Sequence, residues 1–193
     1  GRDDDPYPHA GASPRHERTA LAAVCDIDAE RAQEAARHWQ AGAWYTDPQA
    51  MLDAAAPEIV GICTPDALHA ALTADALAAP KTLGILCEKP IATTVADGEA
   101  MAAQAALRGV ILSVNHIRRF DHGHKRAVAL VHDGGLGEIQ SVVGRYSGGL
   151  RHNGSHMFDL LRWLFGEPAT VLAEDRLGEG GEDPSLDVTL RYG

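Results

Sequence analysis

Lys89 and His156 are the two side chains in this sequence best suited to moving a proton. Lys89 closes the run Leu83-Gly84-Ile85-Leu86-Cys87-Glu88-Lys89-Pro90, a short apolar segment of strand length bounded by Pro80 and Pro90. Such a run suits a strand buried on both faces. A charged pair at its C-terminal end falls where an open α/β sheet places its ligand crevice. A lysine in that crevice would give or take a proton, helped by burial and a nearby cation. On these residues alone, a strand-end lysine turned to solvent beside Glu88 is the simpler account. His156 stands in His152-Asn153-Gly154-Ser155-His156-Met157-Phe158-Asp159, the densest polar group of the C-terminal part. If Asn153 or Ser155 caps a helix here, His156 occupies its first turn, where the helix dipole favours a neutral ring able to accept a proton. Asp159 lies one turn on and could orient that ring. Two alternatives stand beside this one: a surface histidine at a helix cap, or His152 and His156 as metal ligands four apart. Gly154 would break the helix such ligands must share, and no Cys or carboxylate cluster stands near them in sequence, so no metal is expected.

Further candidates sit where strands end. Asp26 follows the strand-like run Thr19 to Cys25. In a dinucleotide fold an acid at this place takes the ribose hydroxyls of NAD and repels a 2′-phosphate, so NAD is favoured over NADP. Helix capping, the other use of an Asp here, is already served by Asp28. The usual Gly-x-Gly-x-x-Gly is missing, and Gly1 reads as its last part. Thr64-Pro65, followed by His69, puts a hydroxyl and a ring at the mouth of the strand Glu58 to Cys63; a plain strand-to-helix turn accounts for them equally well. Arg118-Arg119-Phe120 is either a solvated basic turn or, beside a crevice, a source of substrate contacts through Arg119.

The elements that would position these groups alternate. Strand-like runs at Thr19 to Cys25, Ala43 to Tyr45, Glu58 to Cys63, Leu83 to Cys87 and Val110 to Val114 are separated by helices over Ala29 to Trp39, Pro48 to Ala55, Asp66 to Ala78 and from Thr93 or Thr94 to Leu107. Asp28 and Asp47 read as N-caps, Pro48 as a first helical residue and Gly109 as a helix stop. This order predicts βαβ units and a doubly wound parallel sheet with helices on both faces. Gly1 to Pro14 reads as loop. After Asn115 the pattern changes to a helix over His122 to His132, an alternating strand over Glu138 to Tyr146, a helix over Ser155 to Phe165, a solvated loop over Glu179 to Pro184, and strands at Val171 to Glu174 and Leu186 to Tyr192. The expected fold class is therefore α/β: a Rossmann-like unit over residues 1–116, then an α+β unit over 117–193 with an open, mostly antiparallel sheet.

Composition bounds the function. The chain has 193 residues, 45% of them hydrophobic, and a net charge of −10, which argues against nucleic acid or an anionic membrane as main partner. The three cysteines, Cys25, Cys63 and Cys87, each lie in or at the end of an apolar run, as buried thiols of a reducing compartment do, so a cytoplasmic location is expected. No apolar stretch is long enough to span a bilayer and no secretory signal is visible. The chain begins without Met and stops after a strand-like run, so it reads as a piece of a longer protein.

Taken together these motifs resemble the Gfo/Idh/MocA oxidoreductase family. The residues that carry the likeness are Val24-Cys25-Asp26-Ile27-Asp28 with Arg31-Ala32, Cys63-Thr64-Pro65 with His69, Glu88-Lys89-Pro90, Asn115 to Phe120, Gly137-Glu138-Ile139, Gly154-Ser155-His156 with Asp159, and Leu160 to Gly166. The resemblance implies an NAD(P)-binding Rossmann domain with a second α/β domain. It also implies hydride transfer between nicotinamide and a hydroxyl or keto carbon of a sugar, inositol or related polyol. It makes Lys89 the active-site lysine and His156 the second catalytic group. Gly1, Asp26, Thr64, Pro65, His69, Glu88, Lys89 and Pro90 would border the cofactor, with a peptide bond before Pro90 able to adopt cis. Asn115, Arg119, His152, Asn153 and Asp159 would border the substrate. His152 stands where the family often has Asp. An NAD-dependent glycosidase of the same fold and a non-catalytic NAD- or sugar-binding regulator are the alternatives. A homo-oligomer is expected, since an open sheet face tends to be covered.

Overall fold

Short β-branched runs between Ala-rich segments leave the chain few ways to bury its apolar surface other than βα repeats. The structure, a computed structural model, describes residues 9–12, 16–176, 178, 181 and 183–193. It divides into two compact units, Gly1–Val114 and Asn115–Gly193. Gly1, expected as a remnant of the phosphate-binding turn, lies outside the described residues.

In the first unit every strand pairing is parallel. β1 (Ala23–Cys25) pairs with β2 (Ala43–Tyr45), and β3 (Ile59–Ile62), β4 (Gly84–Cys87) and β5 (Ile111–Val114) form a second sheet in that order. The expected single sheet is thus two sheets. All-parallel strands joined through helices are what a doubly wound fold requires. The helices begin and end where side-chain chemistry predicts. Asp28 accepts the N–H groups of Glu30 and Arg31 to open α2 (Ala29–Trp39), Asp47 accepts that of Gln49 to open α3 (Pro48–Ala55), and Thr94 accepts that of Asp97 to open α5 (Val95–Arg108). Gly109 stops α5 at a φ of 66°, in the left-handed region where a Cβ is costly. The expected helix Asp66 to Ala78 is split: a 3-10 turn over Asp66–Leu68 leads into α4 (His69–Ala78), because Leu68 N–H closes a tight bond to Pro65 O at 2.9 Å.

The core of this unit is Leu52, Val60, Ile62, Ala76, Leu77, Ile85, Cys87, Met101 and Ala105. α4 and α5 cover one face of the β3–β4–β5 sheet, while Ile59 and Ile111 on the other side are 63% and 73% exposed. The strands alternate in burial, and the expectation of strands covered on both faces fails for this sheet. The described part of the stretch read as loop, Gly1 to Pro14, includes a short helix, α1 (His9–Ala12). His9 Nε2 lies 2.8 Å from Glu88 Oε1 at the end of β4. A hydrogen bond donated by the His9 ring to the Cys63 sulfur raises the His9 pKa, burial opposes it and Glu88 adds to the rise, leaving the imidazolium at about 9.

The second unit holds α6 (His122–His132), opened by Asp121, and α7 (Ser155–Phe165), with Gly166 ending it at a φ of 80°. β6 (Thr170–Glu174) and β7 (Asp187–Arg191) form an antiparallel pair. The strand expected over Glu138 to Tyr146 is not one: the segment joins no described sheet. Alternation supplies two faces, but a ladder also needs a neighbouring backbone. Tyr146 is held instead through its hydroxyl, which donates to Leu186 O at 2.8 Å. A wide helical turn, Gly149–Gly154, runs directly into α7. Among the described residues no helix is long and apolar enough to cross a membrane.

Two outcomes follow. Ile85→Ala, at a site 2% exposed, should destabilise the fold by about 3 kcal/mol in urea unfolding, whereas Ile111→Ala should cost less than about 1 kcal/mol. Because folding raises the His9 pKa above its ordinary value, its contribution is complete below pH 6.5 and is lost as pH rises through about 9. Wild type should therefore lose more stability than His9→Gln between those limits; equal slopes would show that the His9 contacts do not form.

Candidate active site

In the first unit the strand ends bring Asp26, Thr64, Glu88 and Lys89 to the carboxyl edges of parallel strands. Asp26 Oδ1 accepts the N–H of Asp28 at 2.9 Å, which fixes the carboxylate at the end of β1. His69 does not stand at the strand mouth as an open ring. It is 1% exposed, with Nδ1 2.7 Å from Pro90 O and Nε2 2.9 Å from Thr64 O. The ring thus ties the residue after β3 to the residue after Lys89. The Lys89–Pro90 peptide is cis. Glu88 holds His9 with one oxygen and accepts the Lys89 N–H with the other at 3.2 Å. Lys89 is half-buried, Pro65 is exposed, and Thr64 Oγ1 is buried without a hydrogen-bond partner among the described residues. An orphaned buried hydroxyl is costly unless something completes it. Its place, at the carboxyl end of β3, fits a dinucleotide lying across these strands.

In the second unit the residues gather round one carboxylate. Asp159, with an 11% exposed side chain, accepts from Arg119 Nε at 3.0 and 2.9 Å and from Nη2 at 2.9 Å. The Arg119 guanidinium lies over the Trp163 ring, 5.4 Å from its centroid. Sequence reasoning had Asp159 orienting His156; the carboxylate is instead spent on Arg119, a charge-assisted pairing stronger than a contact to a neutral ring. His116 Nδ1 is 3.8 Å from Asp159 Oδ2, and its ring meets that of His156 edge-on with centroids 6.2 Å apart. Asn115 begins this segment and is half-buried.

His156 is in the first turn of α7 as expected, but the capping argument fails. The N-cap residue is Gly154, which has no side chain to cap with, and the preceding helical turn continues into α7. The dipole argument needs free N–H groups at a helix start, and a continuous helix does not offer them. For the same reason Gly154 does not break the helix after His152. Asn153 donates to Ser147 O at 2.6 Å, and Ser155 Oγ donates to His152 O at 3.0 Å. The turn is held from outside by Asp183, which accepts the N–H groups of Arg151 and His152 at 2.6 and 3.0 Å. Among the described residues no three His, Cys, Asp or Glu side chains form a metal-binding group. Sequence reasoning missed His9, His116 and Asp183 as contact-makers. Only His116 had a signal, its place in the Asn115 to Phe120 motif.

Comparison with known proteins bears on the same residues. A model of the GFO_IDH_MocA oxidoreductase family, NAD-binding Rossmann fold, matches residues 7–116, more than half of the chain. D-glucoside 3-dehydrogenase of Escherichia coli (strain K12) is 31% identical over 168 residues, which are 77% of this chain and 47% of that protein. Myo-inositol 2-dehydrogenase of Thermotoga maritima is 25% identical over 193 residues, 89% of this chain and 57% of that one. The crystal structure of aldose-aldose oxidoreductase from Caulobacter crescentus, complexed with glycerol, superposes with a TM-score of 0.78 at 26% identity, covering 96% of this chain and 64% of that one. The chain spans about half the length of the curated relatives it matches. Strand order, the Thr64 and Lys89 strand ends and these likenesses agree: the chain belongs to the Gfo/Idh/MocA oxidoreductase family, with an NAD-binding Rossmann fold in its first unit.

Proposed function

We propose that the full-length protein is an NAD-dependent oxidoreductase that moves a hydride between the nicotinamide and a CH–OH carbon of a sugar, inositol or related polyol. The observation that carries this is the ledge at the ends of β3 and β4, where His69 ties Thr64 to Pro90 and the Thr64 hydroxyl has no hydrogen-bond partner among the described residues. The names of relatives, a glucoside and an inositol dehydrogenase, support the substrate class.

Asp26 takes the ribose hydroxyls, which favours NAD over NADP. Thr64, Pro65, Glu88 and Pro90 border the cofactor, with Gly1 at the phosphates, and His69 acts through the two carbonyls it holds. Bound NAD supplies the hydride acceptor. His156 takes the proton of the substrate hydroxyl, and Lys89 gives the charge and hydrogen bond that steady the developing alkoxide. Asn115, Arg119, His152 and Asn153 border the substrate, and Asp159 keeps Arg119 in place. Of the three thiols read as buried, Cys87 is buried, Cys25 half-buried and Cys63 exposed; all three being free agrees with a reducing, cytoplasmic setting. The open β6–β7 pair, with Val171 and Leu172 more than half exposed, agrees with a homo-oligomer.

The experiment is Lys89→Met in the full-length protein, assayed for NADH formation over a panel of polyols and sugars beside calorimetric NAD binding. Turnover should fall by roughly 100-fold to 10,000-fold with NAD affinity held within about threefold. Wild-type turnover in this variant would remove Lys89 from the reaction.

A further inference from the structure

We propose that His116 is a proton relay to His156, positioned by Asp159, that carries the substrate proton onward to solvent. The inference rests on the role given to His156 above and adds a residue whose own part nothing in the motif assigns. Three observations carry it. The His116 and His156 rings stand edge-on at 6.2 Å between centroids with planes at 88°, a spacing that one bridging oxygen spans. The Nδ1 atoms of both rings are screened from bulk water. Asp159 Oδ2 is 3.8 Å from His116 Nδ1, and Arg119 holds that carboxylate through its Nε and Nη2. A carboxylate at that distance favours an imidazolium on His116.

The titratable and charged groups near His116 include His156 and Asp159 from α7 and, on Asp159, Arg119 from the adjoining helical turn over Ile117–Arg119. α6 packs on that turn and carries His124, which is held by Asp121 at 2.7 Å. During oxidation the substrate C–H bond breaks with its electron pair going to the cofactor as hydride. The O–H proton passes to one ring nitrogen of His156. The other ring nitrogen of His156 gives up its proton through the bridging oxygen to His116, which then carries a positive charge beside Asp159. His116, with a quarter of its side chain exposed, releases that proton to water. The substrate loses one hydride and one proton, and His156 is left as its other neutral tautomer, which proton exchange with water converts back.

The test uses the full-length protein with His116→Gln, His116→Ala, His156→Ala and Lys89→Met. For the two His116 variants kcat should fall roughly 10-fold to 100-fold, with KM and NAD affinity within about twofold. The acid limb of the kcat–pH profile should move, and free imidazole should restore part of the kcat of His116→Ala. Without substrate or cofactor, the ring NMR titration of His156 should shift in His116→Gln, as coupled groups do. Unchanged kcat, or a loss that follows melting temperature with no imidazole rescue and no change in the His156 titration, would overturn the relay. If His156→Ala and Lys89→Met stay fully active, the oxidoreductase reading itself fails. If they are dead while the His116 variants are not, the relay alone fails.

Discussion

One buried imidazole fixes the working edge of the first unit. His69 reaches from the start of α4 to two carbonyl oxygens, Thr64 O and Pro90 O, which belong to the ends of neighbouring parallel strands. Buried carbonyls must find donors, and the ring sets one nitrogen against each of these oxygens, its N–H serving one of them. The consequence is geometric. With Pro90 O and Thr64 O tied to one rigid ring, Lys89 and the Thr64 hydroxyl cannot drift apart without breaking bonds inside the core. Replacing that ring would leave a buried acceptor unmet, at about 1–3 kcal/mol. Cys87, fully buried below, has its thiol pushed up to about 11 by burial and serves as an inert wall for the ledge.

The second unit solves a similar problem with charge. It buries little: Val128 is its one buried large apolar side chain among the described residues. Order around His156 comes from polar pins instead. Asp159 holds Arg119 from α7, Asp183 holds the turn Gly149–Gly154, and Tyr146 is tied to Leu186. Gly149, at a φ of 87°, lets the turn come close enough for Asp183 to reach the backbone. Such pins act over short range and are specific in direction, which suits a site where ring orientation matters more than bulk stability.

The elements that could be read from the sequence are those whose signals are local. Asp28, Asp47 and Thr94 as caps, Gly109 as a stop, and the bounds of α6 and α7 depend on a few adjacent residues. The parallel pairing followed from alternation of β and α. What could not be read depends on partners far apart in sequence. The segment from Glu138 to Tyr146 has a strand pattern but joins no described neighbour. His69 looked like an open ring because nothing in its neighbourhood shows that residue 90 supplies a carbonyl. Asp159 looked like a partner for His156 because they share a helix face, and only the fold reveals that Arg119, 40 residues earlier, outbids the ring for it. His152 stands where the family often has Asp, so His152 and Asn153 read as the residues that position the substrate. A second imidazole beside His156 comes instead from the turn after β5.

The central claim is direct hydride transfer from a carbinol carbon to NAD. It is tested most directly by giving the full-length protein a polyol or sugar with deuterium on the reacting carbon and following the label by NMR. The account predicts one deuterium at C4 of the reduced nicotinamide for each substrate oxidised, on a single face of the ring. Product without labelled cofactor, or NAD binding with no transfer across the whole substrate class, would contradict it.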